Sequence, residues 1–463
     1  MSASESSAPR TPLLERLALH RPELRAWALY DWANSAFFTV VITAVFPIFF
    51  LSVAARDLPE DEKRGVFGWA TTASLCVVAF LSPLLGAVAD YARLKKKLFA
   101  GFLALGVLST GGLFFVGPGD WHLACWLFGL ANIGAAGSFV FYDALLSAVA
   151  RADELDRLST NAYALGYLGG GLCLGLCLLL IAKPELLGLV IAPDADPYAK
   201  SLPARLGFLV VAAWWALFSI PFFRHVREPD LPLEHDEVAG TNPIVAASVR
   251  IAETFRELGR YKQTVLFLVA FLAYNDGIGT IMRMATVIGT QRGISDETML
   301  TSILVIQFVG IPFSVLFGRL AQRFGPKRSI LAALVVFVVV CALGYRLSTA
   351  AEFVAMAGLV GMVQGGAQAL SRSLFASLVP KHKSGEFFGL FSTLEKFSGV
   401  LGPLVFSLAP TLGFAIVATN GFFLLGGVLL LFVDVERGRA VAREIDAREV
   451  QLAAERDAAR ALG

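Results

Sequence analysis

Long apolar runs broken by short polar stretches dominate this chain. No charged residue occurs between Trp32 and Ala55, Gly65 and Ala89, Leu98 and Gly119, Leu158 and Ala182, or Met299 and Gly318. A helix needs about 20 residues to cross roughly 30 Å of hydrocarbon, so each run is long enough to be a membrane span. With Gly, Pro and charged residues as boundaries, the pattern predicts twelve spans, near 27–54, 66–90, 98–117, 121–148, 159–182, 205–223, 264–289, 299–321, 329–346, 352–376, 386–409 and 413–433. The uncharged stretch 397–433 is too long for one crossing and carries Pro403, Pro410 and Gly413, so it divides in two. The alternating ten-residue segments of a membrane barrel do not occur. The predicted fold class is an all-α integral membrane protein.

Polar positions inside these runs follow a helical period. In the first span Asp31, Asn34, Ser35 and Phe38 share one face, and Phe37, Val41 and Val45 share another. Such a polar strip is expected to face the bundle interior. The rival reading places Asp31 close to the start of the helix, where the helix dipole favours an acid.

Composition agrees with a bilayer solvent. The 463 residues are 56% hydrophobic and 16% charged, against about 25% charged in soluble domains. A net charge of +2 indicates no particular partner, and no nucleic-acid signature is present. Lys and Arg set the expected orientation. Arg93, Lys95 to Lys97, Arg151, Arg157, Arg319, Arg323, Lys327, Arg328, Arg372, Lys381 and Lys383 gather on one side, which places both termini and the 224–262 linker in the cytoplasm. The first 25 residues are polar and lack a signal-peptide pattern, so the first span is expected to be retained, in a bacterial inner membrane. The linker reads as an amphipathic helix around Ile244, Ala247, Ile251, Phe255 and Leu258, and the tail from Val435 as a solvated helix.

All five cysteines fall inside predicted spans, so no disulfide framework is implied. Cys173 and Cys177 share a helix face, but no third thiolate or imidazole accompanies them, and small-residue packing is the preferred reading. No metal site, cofactor or histidine role is expected. No G-x-x-x-x-G-K-[ST], H-E-x-x-H or G-x-S-x-G occurs, so no catalytic residues and no enzyme are predicted.

The chain repeats itself. Gly86, Ala89 and Lys95 match Gly318, Ala321 and Lys327 at an offset of 232, which two six-span halves explain economically. The expected organisation is an N-terminal segment (1–25), a first bundle (26–223), a linker (224–262), a second bundle (263–434) and a tail (435–463).

The glycine at a helix end, the acid four residues on and the basic cluster beyond resemble the cytoplasmic loop motif of the major facilitator superfamily. More narrowly, YDWANSAFFTVV, FYDALLSAVA, FLAYNDGIGT, GGAQALSRSLFASLVP and EFFGLFSTLEKFSGVLGP resemble the branch that holds the autophagy-linked vacuolar amino-acid effluxers and their bacterial relatives. The resemblance implies twelve helices in two pseudo-symmetric six-helix bundles that rock about a central site. It also implies that Asp90 latches one side shut, with Gly86, Arg93 and Lys95 as its partners in the motif. Gln322 stands where a second such acid would, so that latch should be weaker.

Intramembrane charges are costly and usually face a cavity or a partner. Asp143 and Arg372 are equivalent if YDALLSAV is laid over SRSLFASL at an offset of 229, which suggests an ion pair between the halves; loop-end placement is the rival reading. The seventh span sets Asn275 and Asp276 near its middle, beside Gly277 and Gly279, then Arg283. Seven residues is about 10 Å of rise, so Asp276 and Arg283 cannot pair directly. Glu395 and Lys396 lie halfway along the eleventh span and are expected to look in different directions. Asp31, Asn34, Asn275, Asp276, Arg283, Glu395 and Lys396 are the substrate or coupling candidates; counted with Asp143 and Arg372, four acids face three bases, and an unmatched carboxylate could carry a proton. The expected function is a secondary active transporter of a small solute, amino acids by resemblance, working as a monomer with protons as the possible coupling ion. A non-transporting membrane sensor is the alternative.

Overall fold

The computed structural model describes residues 13–188, 192, 194–229, 245, 247–249, 256, 259–397, 405 and 411–462. Among these, eleven helices are long and apolar enough to cross a membrane. The first bundle comprises α1 (Pro22–Ala54), α2 (Glu60–Ala92), α3 (Lys95–Phe115), α4 (Trp121–Val149), α5 (Leu155–Ala182) and α6 (Leu202–His225). The second comprises α7 (Lys262–Gln291), α8 (Asp296–Phe324), α9 (Pro326–Tyr345), α10 (Ala350–Leu378), α11 (Ser384–Phe397) and α12 (Leu412–Phe432). A tail helix, α13, spans Val435–Leu462. The expected linker helix, and the eleventh span from 398 to 409, lie outside the described residues apart from isolated positions. The described residues are thus all-α and multi-pass, in two sets of six helices as the sequence pattern predicts.

Local chemistry sets the helix ends. In the second bundle, α8, α10 and α12 enter from the same side, and each starts with a hydroxyl cap: Ser295 accepts from Thr298 N, Thr349 from Glu352 N and Thr411 from Phe414 N. Such caps satisfy amides that the helix leaves unbonded. On the opposite side, called here the basic face, lysines satisfy the carbonyls at the end of each bundle's sixth helix. Lys96 Nζ donates to the carbonyls of Phe223 and Val226 (2.6 and 2.7 Å), and Lys327 Nζ to those of Leu431 and Val433 (both 2.8 Å). Lys96, rather than Lys95, is therefore the counterpart of Lys327. The cause is a loop one residue shorter in the second bundle, where Gly325 alone separates α8 from α9, whereas Arg93 and Leu94 separate α2 from α3.

Aromatic packing fills each bundle. Phe46 stacks on Phe128 in the first and Phe271 on Phe391 in the second, both with ring centroids 4.3 Å apart. Large apolar side chains such as Trp69, Phe80, Trp126 and Phe432 stay more than two-thirds exposed, as surfaces facing lipid should. The helix α1 departs from regular geometry. Its turns widen to π-helix over Phe37–Val45 and again over Phe50–Ala54, an irregularity that often marks functional segments.

The tail corrects an expectation. The start of α13 is docked rather than solvated: Arg439 Nε donates to Ser377 Oγ at 3.1 Å, and Asp446 accepts from Lys381 N and pairs with His382 Nδ1, each at 2.9 Å. Mixed-charge periodicity alone could not reveal that a loop would offer partners to one face of this helix.

Helices α3 and α4 cross through glycine. A Cβ on Gly134 would run into the backbone of Gly106 and the Phe102 carbonyl. Gly134→Leu is therefore expected to force this crossing apart and cost about 1–3 kcal/mol or more. A lower thermal midpoint and loss of the monodisperse peak of purified protein would register it.

Candidate functional site

The two bundles close on each other at the basic face. There α2 lies along α11, and α5 along α8 and α10. Asp90, at the end of α2, reaches across this seam. It pairs with Lys95 Nζ at 2.6 Å, and it accepts from the backbone N–H groups of Gly385 (3.1 Å) and Glu386 (2.9 Å) at the start of α11. A carboxylate at a helix N-terminus meets both unbonded donors and the positive end of the dipole. Lys95 Nζ also donates to Ser384 Oγ at 2.9 Å. Gly86 permits this approach, since a Cβ there would strike the Gly385 carbonyl. Arg93 ends α2 in the left-handed region, φ 52°, with an exposed side chain.

Beside this seam Arg372, on α10, projects into the first bundle. Its Nη2 donates to Asp31 Oδ2 at 2.9 Å, its Nη1 to Asp143 Oδ1 at 3.3 Å and its Nε to Ser159 Oγ at 2.9 Å. The guanidinium carbon lies 4.8 Å from the Trp27 ring, 4.7 Å from Tyr163 and 5.5 Å from Tyr142. Two acids thus share one base. Asp31 sits more than two turns into α1, which begins at Pro22, so the helix-start reading of this residue fails: the sequence placed the span's edge too late.

Above this cluster a cavity of about 310 Å³ lies between the bundles. Asp31, Asn34, Thr39, Asp143, Tyr163 and Tyr167 line it from the first; Asn275, Gln307, Gln364, Gln368, Arg372, Glu395 and Lys396 line it from the second. Gln307 Nε2 donates to Thr39 Oγ1 across it at 2.8 Å. Of the candidate residues read from the sequence, Asp276 is fully buried away from this wall. Arg283 lies on α7, with its side chain outside the described residues. Glu395 and Lys396 do not look apart: Lys396 Nζ meets Glu395 Oε2 at 3.0 Å, because a long flexible lysine stem can curl back on its neighbour.

Sequence reasoning missed the amide wall. Gln364, Gln368 and Arg372 stand at i, i+4 and i+8 on one face of α10, a legible strip. Each bundle also ties the tyrosine before a cavity residue to a serine: Tyr30, before Asp31, bonds Ser138 (2.7 Å) in the first, and Tyr274, before Asn275, bonds Ser371 (2.5 Å) in the second.

Comparison with known proteins places this architecture. The family described as "Vacuole effluxer Atg22 like" matches residues 66–443. The chain is 35% identical over 426 residues to YxiO of Bacillus subtilis (strain 168), described as an uncharacterized MFS-type transporter, and the match covers 90% of this chain and 96% of that one. It is 23% identical to autophagy-related protein 22 of Coccidioides immitis (strain RS), with 92% and 88% covered. The crystal structure of the human organic anion transporter MFSD10 (TETRAN) superposes with a TM-score of 0.65 at 17% identity, covering 91% of this chain and all of that one.

Removing the base from this cluster strands two acids, Asp31 buried and Asp143 partly buried. Arg372→Met is expected to cost about 3–5 kcal/mol, the usual penalty for breaking a buried ion pair. Adding Asp31→Asn and Asp143→Asn should recover most of it. Thermal unfolding of the two variants in detergent would check this.

Proposed function

This chain belongs to the vacuole effluxer Atg22-like family of major facilitator transporters, and on that basis we propose that it moves a small polar solute by alternating access. One observation carries the reading: a cavity lined from both bundles by charged and amide groups lies over a seam that Asp90 and Arg372 hold closed. A cavity walled by two bodies can change the side it faces when they rock, and binding energy is available to drive the change.

In this reading the basic face is cytoplasmic, the termini lie there and the membrane is the bacterial inner membrane. The clustering of lysine and arginine supports that orientation. The state described here then has its cytoplasmic side shut. Asp90 serves as the latch, with Gly86, Lys95 and Arg93 around it, and Asp143 with Arg372 as a second closure. Asp31, Asn34, Asn275, Glu395 and Lys396 form the binding wall.

Resemblance to effluxers of amino acids extends the proposal to solutes carrying both an ammonium and a carboxylate. Lys396 could hold the carboxylate while an acid takes the ammonium. The cluster of two acids on one arginine supports proton coupling, since two carboxylates that lose their shared base cannot both stay charged cheaply. Asp276 enters the proposal as a residue that steadies α7 behind the wall, and Arg283, on the same helix, stays in it as a substrate candidate.

Protein-free vesicles reconstituted with the purified chain provide the test. An imposed pH gradient is expected to drive accumulation of at least one labelled amino acid above empty vesicles, with Asp31→Asn reducing the rate about tenfold or more. Tight binding across a metabolite panel without any flux would instead establish a sensor and overturn the transport reading.

A further inference from the structure

We propose that the seat filled here by Arg372 becomes, when the basic face opens, a binding site for a small organic cation: the ammonium or guanidinium group of the transported solute. The inference rests on the alternating-access reading above.

The seat belongs wholly to the first bundle. Trp27 and Asp31 come from α1, Tyr142 and Asp143 from α4, Ser159 and Tyr163 from α5, while its occupant arrives from α10 of the second bundle. Reciprocal bonds hold the seat together without Arg372. Trp27 Nε1 donates to the Tyr142 carbonyl at 3.1 Å, Tyr142 OH donates to the Trp27 carbonyl at 3.2 Å, and the two rings stack with centroids 4.3 Å apart. Parting the bundles at the basic face therefore withdraws the guanidinium and leaves its surroundings in place.

What remains is two carboxylates beside three aromatic rings. Such a pair without counter-charge is unfavourable, so a cation or a proton must enter. Ring faces attract weakly hydrated organic cations, whereas hard inorganic ions seek a shell of oxygen ligands. The tethered guanidinium thus displays the chemistry that the seat accepts. Asp31, Asp143, Tyr163 and Arg372 also line the central cavity, so a cation leaving the seat enters that cavity. On closure Arg372 competes the solute off its seat, and a site emptied in this way links solute movement to the closing of the basic face.

Calorimetric titration of methylguanidinium chloride, at low millimolar concentration, into the purified full-length protein tests this. Arg372→Ala is expected to bind it roughly tenfold more tightly than the wild type, whose own side chain fills the seat. Asp90→Asn loosens the latch but keeps Arg372, and should fall between the two. Adding Asp31→Asn and Asp143→Asn to Arg372→Ala should abolish the gain, and sodium chloride should produce none. The proposal is overturned if Arg372→Ala gains nothing, if the gain survives loss of both carboxylates, or if sodium matches methylguanidinium. Should Arg372→Ala yield no folded protein, Asp90→Asn decides, and binding there no tighter than wild type overturns the proposal. Binding without flux in vesicles would sink transport and leave the seat standing; flux without binding would do the reverse.

Discussion

A guanidinium withdrawn from water costs several kcal/mol unless its donors and its charge are both met, and this molecule meets them only by pressing its two bundles together. Arg372 belongs to one bundle, while the acids, hydroxyl and rings that satisfy it belong to the other. The described arrangement is therefore held by a debt that neither half can settle alone. The cavity depends on the same constraint, because the seam that Arg372 closes forms its floor.

Around that pair the seam is made of close backbone approach. Asp90 can touch amides of α11 only because Gly86 and Gly385 let the two helices meet without side chains between them. Beyond it, Ser159 Oγ donates to the Ala369 carbonyl (2.7 Å) and Ser373 Oγ to Asp156 Oδ1 (2.6 Å). Short polar contacts of this kind are modest individually. They suit the proposed alternating access, in which this joint would hold and also let go, as a wide apolar interface would resist doing.

Much of this was legible in the residues. Uncharged runs gave the spans, and the 86–97 and 318–329 repeat gave the two halves. Matching YDALLSAV to SRSLFASL brought Asp143 and Arg372 to the same depth, where the structure sets them 3.3 Å apart. Asp31 as a third member was not readable, because periodicity orders residues along one helix and cannot say which helix stands opposite. The same limit hid Gln307 reaching Thr39 and α13 docking on the 381–383 turn. Glu395 and Lys396 misled for another reason: direction from the helix axis describes Cβ atoms, not the end of a four-carbon stem.

The widened turns of α1 carry a consequence of their own. A π turn accommodates one residue more than a regular turn, so α1 holds surplus chain within Phe37–Val45, alongside the cavity positions Phe38, Thr39 and Thr43. Thr43 Oγ1 bridges back to the Phe38 carbonyl at 2.9 Å, five residues earlier. Were that surplus to migrate along the helix, each residue it passed would swivel by about 100° about the axis. A screw-like shift of this kind would give α1 a second set of inward-facing side chains with its ends fixed, at the expense of a single bifurcated turn.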